Sequence, residues 1–451
     1  DELLAICAIE EVEATILGSF TDDRRLTLTY QGHVVADMDM EFLHDGLPGR
    51  TLEGVWRHVE AADIPGTVEQ EQESVTQAIY NSLAPTLLAV LRHPSIASKE
   101  EVVRRYDHEV QGATVGKPLV GRSGNGPGDA AVLQPLQGNT APGSGVIISN
   151  GINPLYGLSD PYHMATNAVD EALRNVTAVG GDITRVAILD NFCWGNPTDP
   201  IQMGMLVRAA RGCYDAAVGF GTPFISGKDS LNNEYRTDGK RLPVIPTLLI
   251  SAVGVIDDAA STIDMSLKTP GNLLYLIGTT RNELIGSHYA EIVDPDSFAQ
   301  LFPYSTVPQV DIKRARNTMK TLGEAIRKGL VRACHDLSEG GLAAAAAEMA
   351  LAGLLGATLH TEHITIKDKS NLQPAAETVA RLFSESPSRF LVEIAPEQLG
   401  AFETHMRANR VEDITYVGTV TNTARFVVQH GEQELINLGI DELQDAWKGG
   451  E

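Results

Sequence analysis

A glycine-lysine pair followed by an acidic and a hydroxyl residue occurs in the stretch SGKDS at 226–230. A phosphate-binding P-loop has four residues between its two glycines and a hydroxyl residue directly after the lysine. Here five residues separate Gly221 from Gly227, and Asp229 follows Lys228. A carboxylate at that place repels a bare phosphate but accepts one that arrives with Mg²⁺, because this cation prefers oxygen ligands. The stretch indicates metal-nucleotide binding by another kind of loop, and an ordinary strand-to-turn connection is the alternative.

Four aspartates share one setting in the sequence, beside glycine or at the end of an apolar stretch, where ligands of α/β folds usually bind. They are Asp129, Asp160, Asp190 and Asp229. Carboxylates that converge on one point need a cation between them, so the pattern predicts a metal site. Aspartate also caps helices and forms turns, and this structural interpretation stays open for each position.

Two polar stretches of the last third have mainly structural interpretations. HDLSEGG at 335–341 predicts a helix start, with Asp336 as the N-cap and Glu339 as its capping-box partner. LFSESPSRF at 382–390 places Glu385, Ser386 and Arg389 beside a strand, and we interpret them as structural.

The composition of the 451 residues is that of a soluble globular protein, 43% hydrophobic and 21% charged. The formal charge of −24 argues against nucleic acid or an anionic membrane as the main partner. Four scattered cysteines predict free thiols in a reducing, cytoplasmic compartment. The apolar stretch 340–359 is almost long enough to span a bilayer, but Glu348 and the alanine-rich composition favour a buried core helix.

The hydrophobic pattern predicts an α+β fold in four segments. Residues 1–47 read as three strands, at 13–20, 25–30 and 33–38, that close a preceding domain; residues 48–104 read as a linker with a docking amphipathic helix at 74–93. Residues 105–267 alternate strands and helices, and residues 268–451 form a second α+β domain with helices near 314–328 and 339–353.

Seven stretches occur in the order found in the phosphoribosylformylglycinamidine synthases, and together they extend over nearly the whole chain. They are YDHEVQ (106–111), GDAAVL (128–133), DPY (160–162), DNFCWGNP (190–197), SGKDS (226–230), HDLSEGGLAAAAAEM (335–349) and LFSESPSRF (382–390). The chain therefore resembles the synthetase subunit of that family, within the aminoimidazole ribonucleotide synthetase superfamily.

The resemblance implies an N-type domain with a β-sheet and barrel-like interface, followed by a C-type α/β sandwich domain. The segment 1–47 would be the closing strands of a first C-type domain, 105–267 the second N-type ATP-binding domain and 268–451 the second C-type domain. The first N-type domain, with the family's catalytic histidine motif, would lie in a missing N-terminal half, so the catalytic residues are not assigned and this part alone is expected to be inactive.

The resemblance also implies site residues. Asp190 and Gly227 match positions that contact ATP, and Ser230 matches one that contacts ATP or substrate. Lys228 occupies a place where shorter members have a metal-binding asparagine; because an ammonium group has only donors, Asp229 is the expected Mg²⁺ ligand and Lys228 a phosphate contact. Tyr106 and His108 match residues of an auxiliary nucleotide site or a packing role.

The implied reaction converts formylglycinamide ribonucleotide, ATP and glutamine-derived ammonia to formylglycinamidine ribonucleotide through an iminophosphate, in purine biosynthesis. The implied partners are a glutaminase subunit and a small bridging subunit. Two alternatives stay open. One is a non-catalytic scaffold that holds a nucleotide and docks a glutaminase; the other is a sister enzyme such as aminoimidazole ribonucleotide synthetase, selenophosphate synthetase or thiamine-monophosphate kinase, against which the leading strands and the linker argue.

Overall fold

The computed structural model describes residues 2–57, 73–135, 141, 143–367 and 372–449. The chain divides into two compact units, Asp1–Leu52 and Glu53–Glu451. Within the described part, no helix has the length and apolar character needed to cross a membrane. The four cysteines are free thiols.

The first unit contains a helix, a β-hairpin and a short second helix: α1 (Glu2–Ile9), β1 (Arg25–Tyr30), β2 (His33–Asp39) and α2 (Met40–Asp45). The hairpin strands were both predicted, and they pair antiparallel. The predicted strand at 13–20 was wrong, because those residues have no regular structure. A strand needs a neighbour for its backbone hydrogen bonds, and in the described chain nothing pairs with this stretch.

The second unit opens with α3 (Glu73–Arg92) and α4 (Glu100–Val103). The helix at α3 was predicted from its apolar stripe, and Leu83, Leu87 and Leu91 of that stripe are at most 1% exposed. The predicted linker also includes residues 58–72, which lie outside the described residues.

The next region is a six-stranded sheet with helices on one face. Its elements are β3 (Thr114–Gly116), β4 (Leu119–Val120), β5 (Gly126–Pro127), β6 (Ala131–Leu133), β7 (Gly145–Ile152), α5 (Pro154–Ser159), α6 (Pro161–Ala178), β8 (Val186–Cys193), α7 (Pro200–Phe220), β9 (Phe224–Ser230), β10 (Glu234–Thr237), β11 (Lys240–Pro243) and β12 (Thr247–Ile256). The strand order is β3-β6-β7-β12-β8-β9, with only β8 and β9 parallel. Helices α6 and α7 begin at Pro161 and Pro200, each after an aspartate N-cap, as the sequence predicts.

The last region is a seven-stranded sheet with helices packed against it. Its elements are β13 (Leu273–Ile277), β14 (Thr280–Arg281), α8 (His288–Ile292), α9 (Pro295–Leu301), α10 (Ile312–Arg327), β15 (Ala333–Asp336), α11 (Gly341–Gly353), β16 (Gly356–His360), β17 (Ile366–Lys367), α12 (Pro374–Phe383), β18 (Phe390–Ile394), α13 (Leu399–Ala408), β19 (Ile414–Thr421), β20 (Arg425–His430), β21 (Gln433–Gly439) and α14 (Ile440–Trp447). The strand order is β15-β18-β13-β19-β16-β20-β21.

The apolar stretch at 340–359 contains the buried helix α11, as predicted, but its last residues form strand β16. The predicted N-cap at Asp336 was wrong. Asp336 ends β15, and α11 is capped by Gly340, whose backbone has a φ of +76°. The Asp336 carboxylate instead accepts hydrogen bonds from Arg174 and Ser338, so it is not available to cap the helix.

Candidate functional site

A cavity of about 380 Å³ lies where the two sheet regions meet, within the size range of small-molecule sites. Its wall combines residues of β7, α6, β15 and α11 with the segment after α3 and the turn after β5. Its charged lining residues are Lys99, Asp129, Glu171, His335, Asp336, Glu339 and Glu348. The excess of carboxylates means that an anionic ligand can enter this cavity only together with a cation.

His335 joins the two regions by an ion pair across the cavity wall. Its Nδ1 lies 2.7 Å from Asp129 Oδ1, and its Nε2 lies 3.2 Å from Glu348 Oε2. Burial disfavours a charged imidazole, but the two carboxylates outweigh this effect, and the pKa of His335 is raised well above its ordinary value. His335 is therefore an imidazolium that donates both N–H groups.

Asp129 retains an unused acceptor in the cavity wall. Its side chain is 1% exposed, and Oδ1 is occupied by His335 and by the backbone N–H of Asp336. Oδ2 is buried and has no hydrogen-bond partner among the described residues. A buried carboxylate oxygen without a partner is costly unless a ligand satisfies it.

This oxygen is suited to a hard divalent cation. Asp129, His335 and Asp336 each bring one possible ligand atom within 4.8 Å of the other two. Because both nitrogens of His335 face carboxylates, the oxygens of Asp129 and Asp336 are the donors that remain. Two carboxylates in a cavity with room for water and phosphate are typical of Mg²⁺ sites, so the residues present fit magnesium.

Arg174 on α6 fixes the base of the cavity. Its guanidinium donates to Asp336 Oδ2 at 3.2 Å and to Ser338 Oγ at 2.7 Å, and it also pairs with Asp170 one helical turn away. Asp170 in turn accepts hydrogen bonds from the backbone and hydroxyl of Ser388. Asp170, Arg174 and Asp336 are buried. The network therefore holds α6 against the end of β15 through a guanidinium shared by two carboxylates.

Burial raises the pKa of two glutamates of the wall. Burial raises the pKa of Glu339 to about 7 in spite of the nearby His288. Burial and the charge of Glu339 raise the pKa of Glu171 well above its ordinary value. Glu171 also accepts from the backbone N–H of Ile152 at 3.0 Å. A cation that enters the cavity would favour the ionised form of both groups.

The five residues predicted from SGKDS and its neighbours lie on β8 and β9, away from this cavity wall. Asp190 pairs with Gly227, and Phe192 with Asp229, across the parallel strands, so Asp190, Gly227 and Asp229 share one face of the sheet. Lys228 and Ser230 lie on the other face. Burial, and then the charge of Asp229, raise the pKa of Asp190.

Gly227 lies against Asp190, and a Cβ there would displace the Asp190 carboxylate from its present position. The edge strand β9 is mostly exposed, and so are Lys228 and Asp229. The structure thus brings Asp190, Gly227 and Asp229 together on an accessible edge and directs Lys228 and Ser230 the other way.

The four aspartates of the sequence analysis occupy three settings. Asp129 lines the cavity, Asp190 and Asp229 neighbour each other on the sheet edge, and Asp160 caps α6 while it binds Arg208 at 2.5–2.6 Å. For Asp160 the structural interpretation explains the contacts observed.

Sequence reasoning missed the contributions of Glu171, Arg174 and Glu348 to the cavity. The available signal was a charged residue inside an otherwise apolar helix face, since burial of a charge requires a partner. Glu348 was noted only as an argument against a membrane span. Its partner His335 is separated from Asp129 by 206 residues, and nothing in the local sequence specifies such a contact.

Comparison with known proteins identifies two matching domain families in order. Residues 127–256 match the N-terminal domain of the AIR synthase related proteins, and residues 269–431 match their C-terminal domain. The chain is similar to phosphoribosylformylglycinamidine synthase subunit PurL of Nostoc sp., with 31% identity over 99% of this chain and 57% of the relative. The PurL subunit of Synechococcus elongatus shows the same identity and coverage. The chain therefore spans about 57% of the length of the curated relatives it matches.

Solved structures of PurL share the fold. T. maritima PurL complexed with FGAR aligns with a TM-score of 0.58 at 18% identity, covering 80% of this chain and 53% of the other. T. maritima PurL complexed with ADP aligns with a TM-score of 0.56 at 18% identity, covering 80% and 51%. A HypE-HypF complex chain aligns with a TM-score of 0.52 at 14% identity, covering 69% and 93%. The α+β architecture with N-type and C-type domains is thereby confirmed.

Proposed function

Because the chain belongs to the AIR synthase related proteins and carries both of their domains in order, we propose that it forms part of an ATP-dependent phosphoribosylformylglycinamidine synthase. The reaction joins formylglycinamide ribonucleotide, ATP and glutamine-derived ammonia to give formylglycinamidine ribonucleotide in purine biosynthesis. The amide oxygen is a poor leaving group, and its phosphorylation to an iminophosphate lets ammonia displace it. Magnesium bound with the nucleotide would stabilise charge on the transferred phosphoryl group.

One observation carries this proposal: the two matched domains build a single acidic cavity. Asp129 comes from the region matched to the N-terminal domain, and His335 and Asp336 come from the region matched to the C-terminal domain. Asp129 Oδ2 has no partner among the described residues, and one possible ligand atom of Asp336 lies within 4.8 Å of one of Asp129. We propose that this cavity binds a magnesium nucleotide, with Asp129 and Asp336 as the carboxylate ligands of the cation.

The edge of β8 and β9 is the second part of the proposal. From one face of the sheet, Asp190 and Gly227 would contact ATP and Asp229 the Mg²⁺ ion. Ser230, which would contact ATP or substrate, and Lys228, a phosphate contact, would reach the ligand from the other face of β9. The exposure of β9 suits a site completed by a further domain, and we propose that residues beyond this chain's 451 supply the catalytic groups. The proposed segments are 1–47 from a preceding C-type domain, 48–104 as linker, 105–267 as N-type domain and 268–451 as C-type domain.

The proposed partners follow from the reaction. Ammonia at neutral pH is mostly protonated and dilute, so a glutaminase subunit would deliver it directly, with a small bridging subunit between the two proteins. We place this assembly in the cytoplasm, where reducing conditions suit four free thiols.

Calorimetric titration of the chain with a non-hydrolysable ATP analogue tests the cavity. We expect binding that requires Mg²⁺ and that weakens at least about tenfold, ~1.4 kcal/mol, in Asp129→Asn. Asp257→Asn is the matched control, because the Asp257 side chain is 87% exposed. Thermal unfolding checks that each variant is folded. Equal affinity in wild type and folded Asp129→Asn would refute this cavity as the magnesium-nucleotide site.

The alternative function is a scaffold that holds a structural nucleotide and docks a glutaminase. The buried network from Arg174 to Asp336 favours it, because a ligand in this cavity would tie the two regions together. If the nucleotide is structural, Asp129→Asn should lower the thermal stability of the complete enzyme and leave its kcat nearly unchanged.

If the sheet edge contributes to catalysis, Asp229→Asn should lower kcat and weaken magnesium-dependent nucleotide binding. Unchanged values would refute the Asp229 assignment.

A further inference from the structure

A second group of ligand-type side chains lies outside the carboxylate cavity, between the end of α3 and the start of α8. His93 follows α3 directly, and His288 and Glu291 lie one turn apart on α8. One possible ligand atom of each residue lies within 4.8 Å of the other two. His93 Nε2 is 3.3 Å from Glu291 Oε2. Two donors bound at 2.0–2.1 Å to a tetrahedral zinc ion are roughly 3.3 Å apart, so this pair already has the spacing of two ligands.

His288 has the hydrogen bonding of a metal-ligating histidine. Its Nδ1 lies 3.2 Å from Glu385 Oε1, which also accepts from the His288 backbone N–H at 2.9 Å. Glu385 is completely buried, and its other oxygen accepts from Tyr156 Oη at 2.7 Å. A carboxylate at Nδ1 fixes the ring and leaves Nε2 as the nitrogen that can face an ion, as in the outer shell of many metal centres.

The His93 ring faces Glu291 with Nε2 and is held by its other nitrogen. Its Nδ1 accepts a 3.2 Å hydrogen bond from the backbone N–H of Ser95. Metal binding at Nε2 places the remaining proton on Nδ1, so this bond, at the long end of the usual range, would be given up.

From this geometry we propose a site for a divalent transition metal such as Zn²⁺, with His93, His288 and Glu291 as ligands and water in the fourth position. Two imidazoles and one carboxylate suit zinc better than magnesium. The His93 and Glu291 side chains are 23% and 40% exposed, so an ion can enter from solvent. A second cavity, of about 240 Å³, borders His288.

The metal would fasten α8 to the chain that leads into the acidic cavity. Residues Ser95 to Lys99, directly after His93, form one part of the cavity wall. The proposed ion would therefore order this wall without taking part in nucleotide binding. The proposal does not depend on the function proposed for the cavity.

The test is titration of the chelator-treated full chain with Co²⁺, in excess Mg²⁺ that occupies the hard oxygen sites. We expect one Co²⁺ per chain, with the visible absorption of a low-symmetry nitrogen and oxygen site, and displacement by Zn²⁺. His93→Gln and Glu291→Gln should each weaken Co²⁺ binding by at least about tenfold, because changes in outer-shell partners alone cost ~10–100-fold.

Glu362→Gln is the matched control, since Glu362 also lies beside a histidine, His360, at 3.7 Å. Zn²⁺ should raise the unfolding temperature of the wild type and of this control, and raise it less in His93→Gln and Glu291→Gln. The absence of a Co²⁺ spectrum, or equal affinity in Glu291→Gln and wild type, would overturn the proposal.

Discussion

The acidic side chains of the cavity differ in what balances their charge. His335 lies between Asp129 and Glu348, and Arg174 pairs with Asp336. For Glu339, the nearby His288 does not outweigh the effect of burial, and its pKa is raised to about 7. The cavity therefore contains a group whose charge changes within the physiological pH range.

Glu339 gives folding stability a dependence on pH. Its carboxyl has an ordinary pKa of 4.5 that is raised to about 7 in the fold, so the folded state binds the proton more tightly than the unfolded state. Its contribution is fully present below about pH 4.5 and is lost as the pH rises through 7. At about 1.4 kcal/mol per pH unit, this loss is at most roughly 3 kcal/mol, an upper limit because Glu339 borders the cavity and is partly accessible to water.

Thermal unfolding of wild type and Glu339→Gln between pH 5 and 8, without divalent metal, measures this effect. We expect the wild type to lose more stability than Glu339→Gln as the pH rises, since glutamine does not ionise. Added Mg²⁺ and nucleotide should reduce the difference. Parallel pH profiles for the two proteins would contradict the assignment.

The sequence indicated which residues were candidates for the site better than it indicated which residues contact each other. Asp129, a candidate because it follows glycine before an apolar strand, lies in the cavity wall. The link from Tyr156 to Glu385 joins residues 229 positions apart, and local patterns carry no information on such a pair. Of the four aspartates predicted to converge, only Asp190 and Asp229 are neighbours, on the parallel strands β8 and β9.

At the scale of elements, α6 is the support of the candidate site. It contributes Glu171 to the cavity wall and Arg174 to the buried network beneath it, while Ala168 and Ala172 pack against β7 at Gly151 and Ala165 packs against α7 at Gly212. Small residues on that face let the helix lie close to the strands. Glu171 and Arg174 on α6 can therefore contact the seven-stranded sheet region directly.

Arg174→Ala should destabilise the protein by about 3 kcal/mol or more, because Asp170 and Asp336 would stay buried without their cation. Arg185→Ala is the matched control. Arg185 pairs with Asp257 at the surface, and such pairs contribute roughly 0–1 kcal/mol. Urea unfolding measures both values. Equal losses in the two variants would show that the buried network does not hold the regions together.

Helix ends were predictable to within a few residues where the sequence contains clear capping and helix-terminating residues. Helix α7 runs from Pro200 to Phe220, because Asp199 caps its start and Gly221, with a φ of +75°, ends it. The errors at 13–20 and at Asp336 have a common cause. Both depend on residues distant in sequence. No described strand pairs with residues 13–20, and Asp336 is held by the guanidinium of Arg174.

At the scale of the molecule, one face of the six-stranded sheet is open. Helices α6 and α7 cover the face that contains Ile147 and Ile188, whereas Ile148 and Val255 on the opposite face are each 41% exposed. Exposed apolar side chains on one sheet face indicate an interaction surface. We expect this face to pair with the sheet of a second N-type domain.

Sedimentation of the isolated chain tests this expectation. We predict self-association through the open face, and its loss in the variant Ile148→Lys, because a lysine in the middle of an apolar interface must be desolvated. Val218→Lys is the control, since Val218 lies on α7 and is 64% exposed. A molar mass that is the same for wild type and Ile148→Lys would contradict the prediction.

A crystal structure of the chain with Mn²⁺ and a non-hydrolysable ATP analogue would show directly whether the acidic cavity binds a metal nucleotide. The anomalous signal of manganese locates the ion independently of the nucleotide. We expect an ion bound to Asp129 Oδ2, about 2.2 Å from the oxygen as expected for a hard divalent cation, with the phosphates in the cavity beside Asp336. A bound nucleotide elsewhere with this cavity empty would show that the cavity is not the magnesium-nucleotide site.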